Sequence, residues 1–215
     1  YPTHSNAWLL LGNAVYKRYH KPEQVIPIYE NASKFRVGGY YDADFNLGIV
    51  YNESNQPAKA KDALLRAFAV KPEQVECRYL LAQVYAKLNQ PDSVEYWLKK
   101  GEEIRAVSAA DYYQVGTGFG KVAHNFDMAI VYLNKAVATN PKVELYYEDL
   151  GVAYGLSGRY DEAIATSLKL IEVNPAYPAA YGNLAVSYRM KGNIALAEQY
   201  QAKYNQLVGA PVVAK

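Results

Sequence analysis

Large apolar residues recur at helical spacing along the chain, as at Leu150 and Tyr154 or Leu81 and Tyr85. That separation sets both side chains on one face of an α-helix. The pattern also repeats on a longer scale. The run Tyr147, Leu150, Gly151, Tyr154, Gly158, Ala163, Pro175 returns about 34 residues on as Tyr181, Leu184, Ala185, Tyr188, Gly192, Ala197. Earlier copies read Leu47, Gly48, Tyr51, Ala60, Leu64, Ala67, Pro72, and then Leu81, Ala82, Tyr85, Val94, Leu98, Gly101. A copy one residue longer reads Tyr112, Val115, Gly116, Phe119, Ala129, Leu133, Ala136, Pro141. The first reads Trp8, Leu11, Gly12, Val25, Tyr29, Ala32, with about two extra residues.

Each copy predicts a pair of helices. Small residues hold one fixed place on every first helix: Gly12, Gly48, Ala82, Gly116, Gly151 and Ala185. A second set, Ala60, Ala129, Ala163 and Ala197, stands on the paired helix. Small side chains let two helices approach closely, because side-chain size sets interaxial distance. Pro72, Pro141 and Pro175 separate one pair from the next, since proline lacks an N–H and disfavours helix in the residue before it. Asp161 and Glu162 open a second helix, where the helix dipole favours negative charge. One pair cannot bury its own apolar face, so stability must come from stacked neighbours.

This wording resembles the tetratricopeptide repeat, whose pattern is W-x2-L-G-x2-Y, then A-x3-F, then P. The resemblance runs from about Ser5 to about Pro211, and Ala153–Ile164 comes close to the family consensus. It implies an all-α fold, a right-handed superhelical solenoid of about six antiparallel helix-turn-helix repeats. The expected bounds are 1–4 for the tail of an earlier repeat, 5–40 for an irregular first repeat, then 41–74, 75–108, 109–143 with a one-residue insertion, 144–177, and a cap-like 178–211. Pro2 aligns with Pro175, so the native protein is expected to continue upstream. At the other end Gln201 replaces the leucine of earlier copies and Tyr204 replaces an alanine, as expected of a capping helix that closes the array.

Two copies depart from the pattern. Pro27 is tolerable if the second helix of the first repeat starts near Gln24, because first-turn N–H groups have no internal partner. The Gly38-Gly39 pair then predicts a loose turn. Gly116, Gly118 and Gly120 weaken one helix, each by about 1 kcal/mol relative to alanine. That helix is expected either to pack very closely or to hinge.

Composition narrows the function classes. With 51% hydrophobic and 20% charged residues the chain is globular in balance. No apolar run approaches the roughly 20 residues of a membrane helix. The net charge of +2 comes from 23 basic and 21 acidic residues interspersed, without the basic stripe of a nucleic-acid binder. Cys77 stands alone, so no intrachain disulfide forms; a cytoplasmic or a bacterial envelope setting both accord with that. No leader is visible, but the chain begins at Tyr1, so its opening carries no word on targeting.

Catalytic and cofactor motifs are missing from the sequence. Gly116–Gly120 follows no strand and precedes no Lys-Ser or Lys-Thr, so it is not a phosphate loop. His4, His20 and His124 have no ligand spacing, and no H-E-x-x-H, C-x-x-C or G-x-S-x-G occurs. Cys77 reads as a small buried hydrophobe. The acidic pairs Glu102-Glu103, Glu148-Asp149 and Asp161-Glu162 read as solvated helix features. The sequons at Asn31 and Asn52 lie in or beside predicted helices and read as chance matches. No enzyme activity, cofactor or metal is expected.

In the tetratricopeptide family the first helices line a concave face on which ligands lie. The resemblance maps that face here onto rows led by Leu9, Phe45, Tyr79, Tyr113 and Glu148, by Asn13, Ile49, Gln83, Thr117 and Val152, and by Tyr16, Asn52, Ala86, Gly120 and Gly155. Asn46, Gln114, Asp149 and Asn183 flank them. The candidate site is therefore Asn13, Tyr16, Phe45, Asn46, Ile49, Tyr79, Gln83, Tyr113, Gln114 and Asp149. Aromatic rings there supply area with little rotamer entropy, and Asn and Gln can hold a peptide backbone. A protein or peptide partner is expected, as an extended segment with apolar side chains. Chaperone-binding members clamp a terminal carboxylate with two asparagines and three basic residues. Asn13 and Asn46 match, but Leu9, Glu76 and Leu80 stand at the basic positions, so such a peptide is not the expected ligand. The alternatives are an accessory domain of a larger, membrane-anchored transferase and a carbohydrate-binding groove suggested by the 22 tyrosines.

Overall fold

Helix pairs form where the sequence offers a first helix, a left-handed turn residue and a second helix. In the computed structural model, which describes residues 4–34 and 39–209, this happens six times. The hairpins are α1 (Ser5–Tyr19) with α2 (Pro22–Lys34), α3 (Tyr41–Glu53) with α4 (Pro57–Val70), and α5 (Val75–Lys87) with α6 (Pro91–Glu102). Then come α7 (Ala109–Thr117) with α8 (Phe126–Thr139), α9 (Glu144–Leu156) with α10 (Tyr160–Val173), and α11 (Pro178–Met190) with α12 (Ile194–Leu207). No strand occurs among the described residues. The fold is an all-α array of antiparallel hairpins.

One residue in each hairpin turn takes positive φ: His20, Asn55, Asn89, His124, Gly158 and Gly192. It reverses the chain, and the aromatic residue ending the first-helix motif accepts a closing bond. Gln56 N donates to Tyr51 O at 2.8 Å, Gln90 N to Tyr85 O at 3.0 Å, Arg159 N to Tyr154 O and Asn193 N to Tyr188 O at 2.9 Å. These bonds satisfy carbonyls that a helix end leaves orphaned. The prolines opening α4, α6 and α11 sit where an N–H would have no partner.

Two compact units divide the chain, one ending at Val107 and the other starting at Ser108. In the first, each of α1 to α5 touches its successor, and α3 also touches α5. The small residues explain the closeness. A Cβ on Gly12 would overlap the Tyr29 ring, and one on Gly48 would overlap the Leu64 side chain. Leu47, Leu64, Leu81, Val84 and Val94 are buried between the layers, each contributing about 1.5–3 kcal/mol by leaving water. Asp44 is buried too. Its Oδ1 accepts from Ser33 Oγ at 2.8 Å and from Arg66 Nε at 2.9 Å, which ties α2, α3 and α4 at one point.

The second unit stacks α7 to α12 in the same manner, with α9 also touching α11. It opens on a capping box: Ser108 Oγ accepts from Asp111 N, and Asp111 Oδ2 accepts from Ser108 N at 3.0 Å. Tyr147, Leu170, Ala180 and Tyr181 form one core cluster, against which Tyr200, Tyr204 and Leu207 pack. The Tyr204 ring lies over Gly182.

The three-glycine helix packs closely. Gly116 lies against Leu133, and Gly118 and Phe119 are buried. After Thr117 the helix widens into a π-helical turn, Gly118–Val122. Asn125 N therefore reaches back six residues to Phe119 O at 2.9 Å, where four of the other hairpins reach back five. The π turn absorbs the extra residue of this copy.

Pro27 corrects the expectation for α2. The helix begins at Pro22, not near Gln24, and carries Pro27 inside it. The proline is exposed, so the Glu23 carbonyl that loses its partner can turn to water. Gly38, residues 1–3 of the expected upstream tail, and the stretch from Ala210 lie outside the described residues.

Candidate functional site

The sequence-predicted residues fall into three groups. In the first unit, Asn13 and Asn46 meet: Asn46 Nδ2 donates to Asn13 Oδ1 at 3.0 Å, and Tyr29 Oη donates to the same oxygen at 2.8 Å. Tyr16 donates to Glu53 Oε2 at 2.5 Å. That bond, together with burial, pushes its phenol up to about 12. Phe45 stacks on Tyr41 with centroids 5.4 Å apart. Ile49 and Gln83 are half-buried.

Tyr79 does not join them. It is 2% exposed, its ring fills the place beside Gly101, and its hydroxyl donates to the Arg105 carbonyl. It belongs to the packing of α5 on α6 and leaves the candidate site.

The third group lies in the second unit. Tyr113 Oη donates to Asp149 Oδ2 at 2.7 Å, and Lys121 Nζ pairs with that oxygen at 2.7 Å. Burial first, then the Asp149 bond, raises the Tyr113 phenol well above its usual range. The ring stacks on Tyr146 at 4.9 Å. Gln114 is exposed beside it. Asp149 is thus neutralised within the protein.

Next to this triad, exposed apolar side chains gather on the facing sides of two first helices. Val152 is 40% exposed, Leu156 61%, Val186 56% and Met190 59%. They wall a groove of about 430 Å³ between α9 and α11, floored by Gly151 and Gly155. Val152 and Leu156 also border a second hollow of about 220 Å³, which reaches Thr117, Gly120 and Lys121. A ridge of two apolar side chains therefore separates two hollows. Asn183 lines the larger one, and its Nδ2 is buried without a hydrogen-bond partner among the described residues.

Leu156, Val186 and Met190 stand outside the rows that the resemblance maps to the face, although Val186 stands to α11 as Val152 stands to α9. Thr117, Val152, Gly120 and Gly155 were on those rows and do line the hollows.

Among the described residues no His, Cys, Asp and Glu cluster could hold a metal. Cys77 is buried, donates weakly to the Leu64 carbonyl at 3.4 Å, and has its thiol pushed up to about 12 by burial. Such a thiol is a poor nucleophile. Burial lowers the Lys87 amine, which donates to Asn52 O at 2.8 Å. No described helix is long and apolar enough to cross a membrane.

Known proteins resemble this chain in sequence or in fold. Superkiller protein 3 of Schizosaccharomyces pombe is 28% identical over 127 residues, which are 56% of this chain and 9% of that protein. The crystal structure of MamA superposes with a TM-score of 0.60 at 25% identity, covering 79% of this chain and 92% of that one. YrrB, a TPR protein with an unusual peptide-binding site, superposes with a TM-score of 0.57 at 19% identity over 83% of this chain and 91% of its own. The tetratricopeptide repeat model matches residues 45–102 and 149–207, together more than half of the sequence. With six helix hairpins built on that motif, the chain belongs to the tetratricopeptide repeat family.

Proposed function

We propose that this chain is a non-catalytic binding module that docks a segment of a partner protein on the faces of its first helices. The observation that carries the reading is the grouping of Val152, Leu156, Val186 and Met190, all exposed, around one groove. Large apolar side chains gathered at a concavity mark contact surfaces, because covering them removes apolar area from water. Family membership and the peptide-binding site of YrrB on the same fold support it. The face in the first unit is more polar. The Asn13–Asn46 pair and the Tyr16–Glu53 pair could meet a backbone there, but they already satisfy one another.

The test is selection of peptides from a random library displayed on phage, with the intact chain as bait. Enriched peptides should carry apolar residues and should lose about tenfold or more in affinity for a Val152→Asp/Met190→Asp variant. No enrichment above a bare surface, or equal binding to the variant, would remove the reading.

A further inference from the structure

Gly155 lies in the last turn of α9, and a Cβ there would meet nothing within 4 Å. The contrast with Gly12, Gly48 and Gly116 is sharp, for each of those lies under a packed side chain. Nor does Gly155 have positive φ. Neither packing nor backbone conformation calls for glycine at this position. What its bareness does is deepen the groove between α9 and α11, whose floor it forms.

A charged group borders the same space. Arg189 stands one turn beyond Val186 on the same face of α11, next to Met190. Lys121, Arg159 and Lys191 are ion-paired with Asp149, Glu162 and Asp161. Among the described residues Arg189 has no such carboxylate. The groove therefore offers an apolar cavity with a cation at its rim.

We propose that this groove receives a bulky apolar side chain of a partner segment over Gly155, with Arg189 pairing with an acidic residue beside the anchor. This rests on reading the face as a docking surface and adds the chemistry of what docks. A purely apolar occupant would leave Arg189 unmatched. A basic segment would meet Arg189 with like charge.

The test uses the phage-selected peptides and compares wild type, Gly155→Leu and Arg189→Glu by fluorescence anisotropy. The selected sequences should pair a Leu, Met or Phe with a neighbouring Asp or Glu. Gly155→Leu should melt at or above the wild-type temperature, since leucine favours helix and its side chain enters empty space. It should bind about tenfold more weakly. Arg189→Glu, an exposed change, should weaken binding several-fold, with the loss shrinking at high salt. Peptides that bind Gly155→Leu as tightly as wild type would overturn this inference while leaving the docking face in place. So would a lowered melting temperature for that variant, which would make Gly155 a packing residue. A groove that light scattering shows to be covered by a second copy of the chain, released by Gly155→Leu, would overturn it as well. Failure of any peptide to enrich would instead strike the docking reading itself.

Discussion

The ring of Tyr79 occupies the space beside Gly101 that a side chain on α6 would otherwise take. Two features follow from this one contact: glycine is required at residue 101, and the tyrosine is withdrawn from the face where its sequence position alone would put it. Gly101→Ala forces its new Cβ into the ring, and overpacking of this kind costs about 1–3 kcal/mol. Tyr79→Phe keeps the ring but removes its hydrogen bond to the Arg105 carbonyl, a loss of about 1 kcal/mol. Urea unfolding of both variants checks the pair. Unchanged midpoints would mean that the contact is not a packing element.

Much of this fold could be read in advance, because the residues that set helix separation recur. Gly12, Gly48 and Gly116 announce close approach by repetition alone, and each proves to lie under a side chain of the paired helix. Pro27 could not be read so. Helix rules place a proline in the first turn, but α2 starts earlier and tolerates the break because the site faces water. Tyr79 was misplaced for a related reason. A register along α5 says which way a residue points, but not that Gly101 on another helix has left room to bury it. The apolar groove needed both α9 and α11, and no single repeat contains it.

The turn residues supply a second expectation. His20 and His124 hold φ of 48° and 55° in places where the last two hairpins use glycine. A side chain in that conformation costs about 1–2 kcal/mol, against an entropic cost of about 0.5–1 kcal/mol for glycine. His124→Gly should therefore stabilise the second unit by roughly 0.5–1 kcal/mol, seen as a raised urea midpoint. A lowered midpoint would show that the imidazole beside Phe126 matters more than the backbone.

Alkaline pH offers a third. Tyr16 is held near 12 by Glu53 and burial, while an unfolded tyrosine ionises near 10. The folded state therefore favours the protonated phenol. The stability this confers is complete below about pH 10 and is lost as pH rises towards 12. Tyr113, raised by burial and Asp149, acts in the same direction. Unfolding followed by urea at about pH 9 and about pH 11 should show a smaller drop in midpoint for Tyr16→Phe than for wild type. An equal drop would place the alkaline sensitivity elsewhere.

The most direct test of the docking account is a residue-level map of where a selected peptide lands, read from backbone amide shifts in the labelled chain. The account predicts perturbations clustered at Val152, Gly155, Leu156, Asn183, Val186 and Met190, with the outer faces of α10 and α12 silent. Perturbations centred on α10 or α12, with the α9–α11 groove unmoved, would contradict it.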